Sequence, residues 1–197
     1  MNLSVFVTPL LFLTGSGTPA VKKIVAKIDS PVKELRIRDL HLSKSAPVIE
    51  IEKHRGKKVV VLGFLIEHCV ICNLYEPRLR AMLKKYSNEV IFYGVYCDKV
   101  DNPQSMKKWI TQKYSTIHLL DDHKGKLLNY FGVVTSPSFV LIDKKGVLRY
   151  VGAFDDNPGE DLKHKYLEDA LNAVVKNNPV VIKHTSPFGC KIIPASG

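Results

Sequence analysis

The strongest constraint on the fold is a pair of unbroken hydrophobic segments. Residues 59–66 and residues 90–97 each contain only hydrophobic side chains and one glycine. A strand without polar positions is buried on both faces, which is typical of a parallel sheet covered by helices. Between the two segments, apolar residues recur at helical spacing from Ile71 to Tyr86, although Pro77 interrupts them. The pattern therefore predicts a β-α-β unit in an α/β domain.

The rest of the chain extends this order. Asn102 followed by Pro103 is typical of a helix start, because asparagine caps the free N–H groups and proline suits the first turn. The other predicted elements, in chain order, are edge strands in 34–38 and 48–51, a strand at 117–120, a helix at 124–131, a hairpin of 138–143 and 147–152, and a helix at 161–176, followed by an irregular tail.

Length and composition favour one soluble domain. The chain has 197 residues, of which 45% are hydrophobic and 24% charged, enough for one sizeable core. We expect residues 21–54 to form an N-terminal β extension, residues 55–178 to form the main domain and residues 179–197 to form a C-terminal tail.

The net charge of +10 raises the question of a nucleic-acid or membrane partner. The lysines are scattered along the chain as pairs, such as Lys57 with Lys58 and Lys144 with Lys145, whereas a nucleic-acid footprint needs a concentrated patch. We therefore expect a solvated basic surface and no nucleic-acid partner.

The first 20 residues resemble a targeting segment. Residues 2–13 are strongly apolar but too short to span a bilayer, and residues 14–20 are mostly small. This order is typical of a secretory signal peptide, although no lysine or arginine precedes it and Pro9 interrupts it. The segment is either such a signal, with a periplasmic or other extracytoplasmic mature protein, or a flexible leader of a cytoplasmic one. We expect no membrane association beyond it.

The candidate reactive residues are two cysteines, Cys69 and Cys72. They lie where the first buried strand passes into the first helix, and thiols at this spacing can close a disulfide across the first helical turn. The helix N-terminus favours the thiolate and lowers the pKa of the first sulfur. Cys69 should therefore be the more exposed, attacking thiol and Cys72 the resolving thiol.

Other uses of this motif fit less well. A structural zinc site needs four ligands, and the sequence has no second motif of this spacing. Attachment of c-type haem needs a histidine after the second cysteine, where Asn73 stands. We expect neither a metal nor a small-molecule cofactor. A fixed structural disulfide in a binding module is the alternative that stays open.

Residues 59–152 resemble the thioredoxin-like fold, in the redoxin branch that includes TlpA-type thiol-disulfide oxidoreductases and AhpC/TSA-type proteins. The TlpA-type motif is matched by Phe64, Cys69, Cys72, Pro77 and Leu79. The resemblance implies a central mixed sheet flanked by helices. It also implies that Pro137 is a cis proline facing the two cysteines, which leaves Thr135 and Ser136 to bind an extended substrate.

The tail adds a further resemblance. Phe188, Gly189 and Cys190 are similar to the ending of a redoxin subgroup, whose motif region also resembles residues 68–79. Cys190 is either a third redox thiol or a packed tail cysteine.

Departures from the redoxin pattern concern the residues around Cys69. His68 replaces the usual tryptophan and could stabilise a thiolate, and Val70 and Ile71 replace the usual glycine and proline, adding apolar surface for a protein substrate. A peroxidase would need threonine at Ile66, which makes a thiol peroxidase the weaker alternative. We expect disulfide exchange with protein thiols or disulfides and an upstream redox partner.

Overall fold

The computed structural model describes residues 26–41, 48–159 and 161–195. The leader at residues 1–20 and the first residues of the β extension lie outside this part of the chain. No helix of the described residues is long and apolar enough to cross a membrane.

The described elements follow the predicted order. The strands are β1 (Arg36–Arg38), β2 (Val48–Glu50), β3 (Val59–Phe64), β4 (Val90–Tyr96), β5 (His118–Asp121), β6 (Thr135–Ser136), β7 (Ser138–Ile142), β8 (Leu148–Gly152) and β9 (Cys190–Lys191). The α-helices are α1 (Val70–Lys85), α2 (Pro103–Lys113), α3 (Lys126–Phe131) and α4 (Tyr166–Val175), and a short 3₁₀ helix covers Ile51–His54.

The central sheet has five strands in the order β5-β4-β3-β7-β8. Strands β3, β4 and β5 are parallel, whereas β7 and β8 are antiparallel to their neighbours. All six residues of β3 are buried, as its uniform hydrophobicity predicts. The predicted α/β class with a mixed sheet is therefore confirmed, and β3 lies at the centre of the core.

Helix α1 directs the reactive motif into this core. It begins directly after Cys69 and contains Pro77, and its buried face includes Cys72 and Tyr75. In α2, the Asn102 side chain caps the helix by accepting hydrogen bonds from the backbone N–H groups of the second and third helical residues. The last helix, α4, begins at Tyr166 rather than at residue 161, because the preceding segment forms a loop in which Asp156 accepts a hydrogen bond from the Lys163 N–H.

The prediction that the C-terminal tail is irregular is wrong for part of the tail. Residues before β9 run beside β8, where the Val151 N–H donates to the Lys183 carbonyl and the Thr185 N–H donates back to Val151. Strand β9 then pairs antiparallel with β6. These pairings are too short to show hydrophobic alternation, so sequence periodicity could not reveal them.

The N-terminal extension packs onto the domain. Strands β1 and β2 pair antiparallel, with Ile37 of β1 buried. Beyond β1, the buried carboxylate of Asp39 lies 2.6 Å from Nδ1 of His118, which is the first residue of β5. The extension is thereby tied to the edge of the central sheet.

Candidate active site

Cys69 lies at the N-cap of α1, where its backbone is still extended. Its sulfur is 3.4 Å from the backbone oxygen of Ser136, the last residue of β6, which is followed by Pro137 and then by β7. The Ser136–Pro137 peptide bond is cis, as the resemblance implies. The end of β3, the start of α1 and the junction of β6 with β7 therefore meet at one point.

Cys72 faces the interior from the first turn of α1. Its sulfur lies 3.2 Å from the hydroxyl oxygen of Ser136, and that hydroxyl donates to the Phe64 carbonyl at 3.0 Å. The Ser136 hydroxyl thus connects the Cys72 sulfur to the last residue of β3.

The third sulfur of the site belongs to the tail. Cys190 Sγ lies 2.7 Å from Cys69 Sγ. Cys69 and Cys72 are each only 1% exposed, whereas Cys190 is half-buried. The expectation that Cys69 is more exposed than Cys72 is therefore wrong, because β9 lies over Cys69.

The three thiols differ in acidity. Hydrogen bonds from the Cys72 side chain, from the Cys190 side chain and from the backbone N–H groups of both lower the pKa of Cys69 to about 5. Burial, with the adjacent Cys69, raises the pKa of Cys72 well above its usual value, and the same two causes raise the pKa of Cys190 to about 11. At neutral pH one thiolate, on Cys69, is flanked by two thiols.

This acidity gives a pH-dependent signature. In the reduced protein, the ultraviolet absorbance of one thiolate should persist at neutral pH and disappear as the pH falls through about 5, because Cys69 then takes up its proton. A titration of Cys69→Ser should lack this transition, while Cys97→Ala should keep it. A transition only above about pH 8, as for an unperturbed thiol, would contradict the assignment.

A polar group lies beside the thiols. His68 has a side chain that is 67% exposed, and its Nε2 is 3.8 Å from the buried Asp101 carboxylate. Glu67, His68 and Asp101 can bring one ligand atom each within 4.8 Å of one another. This is one ligand fewer than a structural zinc site uses, so these are the residues that could hold a cation at an open site.

The residues expected to bind substrate are divided between surface and interior. Val70 is 67% exposed, and Ile71 and Thr135 are half-buried. Ser136 is completely buried beneath the tail, and Pro137 is buried as well. Val134 and Phe188, two further exposed apolar residues of the converging segments, carry no signal of substrate binding in the sequence. Exposed apolar side chains thus belong to α1, to the segment before β6 and to the tail, which are the segments that meet at the thiols.

Comparisons with known proteins agree with the fold. A hypothetical protein of Sinorhizobium meliloti has 18% identity and a TM-score of 0.74, over 87% of this chain and 96% of that chain. An uncharacterised conserved protein of Geobacillus kaustophilus has 20% identity and a TM-score of 0.74, over 92% and 100%. A secreted Mycobacterium tuberculosis disulfide oxidoreductase homologous to Escherichia coli DsbE has 20% identity and a TM-score of 0.55, over 71% and 96%.

A search of the curated proteins gives no match. The model of the AhpC/TSA family, in contrast, matches residues 28–151, which is more than half of the chain and includes β1 to β7 and both motif cysteines. The chain therefore belongs to the AhpC/TSA family and is a thioredoxin-like redoxin.

Proposed function

We propose that this protein exchanges disulfides with protein substrates through Cys69 and Cys72. The observation that carries the proposal is the position of the Cys69 sulfur, at the start of α1 and within reach of two other sulfurs. A low-pKa thiolate beside a protonated partner is the arrangement that thiol–disulfide exchange requires.

The exchange proceeds in two balanced steps. A Cys69 thiolate bonds to one sulfur of a disulfide, and the other sulfur of that disulfide leaves as a thiolate. Cys72 loses its proton and attacks the Cys69 sulfur, which closes the Cys69–Cys72 disulfide and releases the bound thiolate. Two electrons pass from the protein dithiol to the substrate disulfide. The reverse sequence oxidises a substrate dithiol.

Protein thiols suit the surroundings better than small charged thiols do. Val70, Val134 and Phe188 are each more than 60% exposed and belong to the segments that meet at the site. An apolar rim of this kind fits the unfolded or flexible segment of a protein that carries a cysteine. An upstream protein partner would restore the redox state of the pair.

The proposal extends to the organisation and location of the protein. Residues 21–54 would act as an extension of a thioredoxin-like domain at 55–178, with 179–197 as its tail. An extracytoplasmic location is supported by the signal-like residues 2–20 and by the secreted Mycobacterium tuberculosis relative.

A peroxidase is a weaker alternative within the same family. Leu62 and Ile66 stand where a peroxidase signature has proline and threonine, and both side chains are buried. Cys69 thus lacks the hydroxyl that would help to orient a peroxide.

A redox titration separates an exchanging pair from a structural disulfide. The protein is equilibrated with thiol–disulfide buffers, its free thiols are trapped, and the cysteine peptides are identified by mass. Since a stabilised thiolate favours the reduced form, we expect half-reduction of the Cys69 disulfide above the value of about −270 mV typical of thioredoxin. A disulfide still fully oxidised below about −300 mV would instead indicate a structural role.

A further inference from the structure

The C-terminal tail of the chain pairs with β6, the strand that leads into Pro137 at the active site. Strand β9 pairs with β6 so that Cys190 lies opposite Ser136 and Lys191 opposite Thr135. The Ile192 N–H extends the pairing by donating to the Val134 carbonyl at 3.0 Å. An extended substrate would need these same backbone groups, since peptides bind to open strand edges by such hydrogen bonds.

Gly189 allows this close approach. A Cβ atom at position 189 would lie 1.9 Å from the backbone oxygen of Ser136, and the residue has a φ of +153°. Both the contact and the backbone conformation exclude larger residues without movement of the tail. The glycine therefore sets the position of the cysteine that follows it.

The segment is held in place on both sides. Before it, the Thr185 hydroxyl accepts from the Ala153 N–H at 2.8 Å and lies 2.6 Å from the Tyr150 hydroxyl. After it, the Ile193 N–H donates to the Asp98 carboxylate at 2.8 Å. These contacts hold the tail against the domain. A substrate that reached Cys69 directly would have to displace it.

Cys190 bridges the buried pair and the surface. Its sulfur lies 2.7 Å from the buried Cys69 sulfur. Cys190 is half-buried, whereas Cys69 and Cys72 are both buried.

We propose that Cys190 is a third catalytic thiol, which carries the mixed disulfide with the protein substrate while Cys69 and Cys72 act behind it as an internal pair. The proposal rests on the disulfide exchange proposed above and changes the sulfur that meets the substrate.

In the oxidising direction, the relay converts a substrate dithiol into a disulfide. Cys190 loses its proton and attacks Cys69 in the Cys69–Cys72 disulfide, and Cys72 leaves as a thiolate and takes up a proton, so that the disulfide moves to Cys69–Cys190 without a change of oxidation state. A substrate thiolate then attacks Cys190, and Cys69 leaves as a thiolate. The second substrate thiolate attacks the substrate's own sulfur and releases Cys190, completing a two-electron transfer. Exchange with a partner protein's disulfide reoxidises the pair.

The acidity of the thiols favours this direction of attack. Cys69, whose pKa is lowered most by the hydrogen bond from the Cys72 side chain, is a good leaving group when Cys190 is attacked. The half-buried Cys190 is also the accessible sulfur of that disulfide. Accessibility and leaving-group stability therefore both favour attack of the substrate thiolate on Cys190 rather than on Cys69 of this disulfide.

Two matched double variants test the relay with insulin as the disulfide probe. Cys69→Ser/Cys72→Ser keeps only Cys190 at the site and should capture an insulin chain on Cys190. Cys72→Ser/Cys190→Ser keeps only Cys69 there and should capture at least about tenfold less, because β9 covers that sulfur. Cys97, which is completely buried, is an internal control in both variants and should capture none. Peptide mass mapping identifies the captured sulfur.

Turnover and disulfide mapping provide the second measurement. Cys190→Ser should reduce insulin at least about tenfold more slowly than the wild type, at an unchanged melting temperature. The Cys69–Cys190 disulfide should be found in the oxidised wild type and should be depleted in Gly189→Ala, whereas Ser186→Ala, a change at an exposed tail residue, should retain it. Efficient capture on Cys69 alone, with full turnover by Cys190→Ser, would overturn the relay and leave the exchange at Cys69 and Cys72 intact. Full turnover by Cys69→Ser would instead overturn the proposed function itself.

Discussion

Replacement of Cys69 by serine is expected to lower the rate of insulin reduction by at least about a thousandfold, with dithiothreitol as the electron source. Cys69 lies next to both other sulfurs of the site, so every internal disulfide of the proposed cycle includes it. A serine hydroxyl cannot form a disulfide. The loss should therefore be in the rate at saturating insulin and not merely in the affinity for insulin.

Cys97→Ala is the matched control for this substitution. Cys97 is also a completely buried cysteine, but it lies just after β4, and its pKa is raised by burial. Its removal should change the rate less than about twofold, since no step of the exchange uses it. Retention of more than a tenth of the wild-type rate by Cys69→Ser, or an equal loss in Cys97→Ala, would contradict the assigned role.

Much of the fold follows from local patterns in the sequence. The uniform hydrophobicity of β3 and β4 indicates their burial on both faces, and Asn102 with Pro103 marks the start of α2. The motif cysteines at a strand-to-helix junction likewise indicate a thioredoxin-like arrangement. These signals are legible because each depends on residues that are close together in the chain.

The covering of the site depends on residues that are distant in the chain. Cys190 and Cys69 are 121 positions apart, and β9 has only two residues, too few for an alternating pattern. Gly189 is a signal that could have been used, because a glycine before a cysteine is compatible with a close backbone approach. The sequence alone does not identify the partner of that approach, which is Ser136.

An ion pair to a buried carboxylate is another feature without a sequence signal. Arg78, one turn of α1 after Tyr75, donates to the Asp155 carboxylate at 2.7 Å and to the Asn157 and Pro158 carbonyls at 3.1 and 2.8 Å. Asp155 is only 1% exposed, and burial raises its pKa despite hydrogen bonding with Tyr75 and the charge of Arg78. This arginine therefore connects α1 to the loop after β8.

Arg78→Met is expected to lower the free energy of unfolding by about 3–5 kcal/mol, because it leaves a buried carboxylate without its cation. Arg80→Met is the control on the same helix, since Arg80 pairs with Glu76 but is 61% exposed, and it should cost no more than about 1 kcal/mol. Chemical denaturation of both variants gives the comparison. Asp155 already has a raised pKa, and loss of Arg78 raises it further, so the cost should be greatest at neutral pH and shrink as acid protonates the carboxyl group. Equal costs for the two variants, or a cost for Arg78→Met that does not change with pH, would mean that the folded protein does not hold Asp155 as a buried carboxylate.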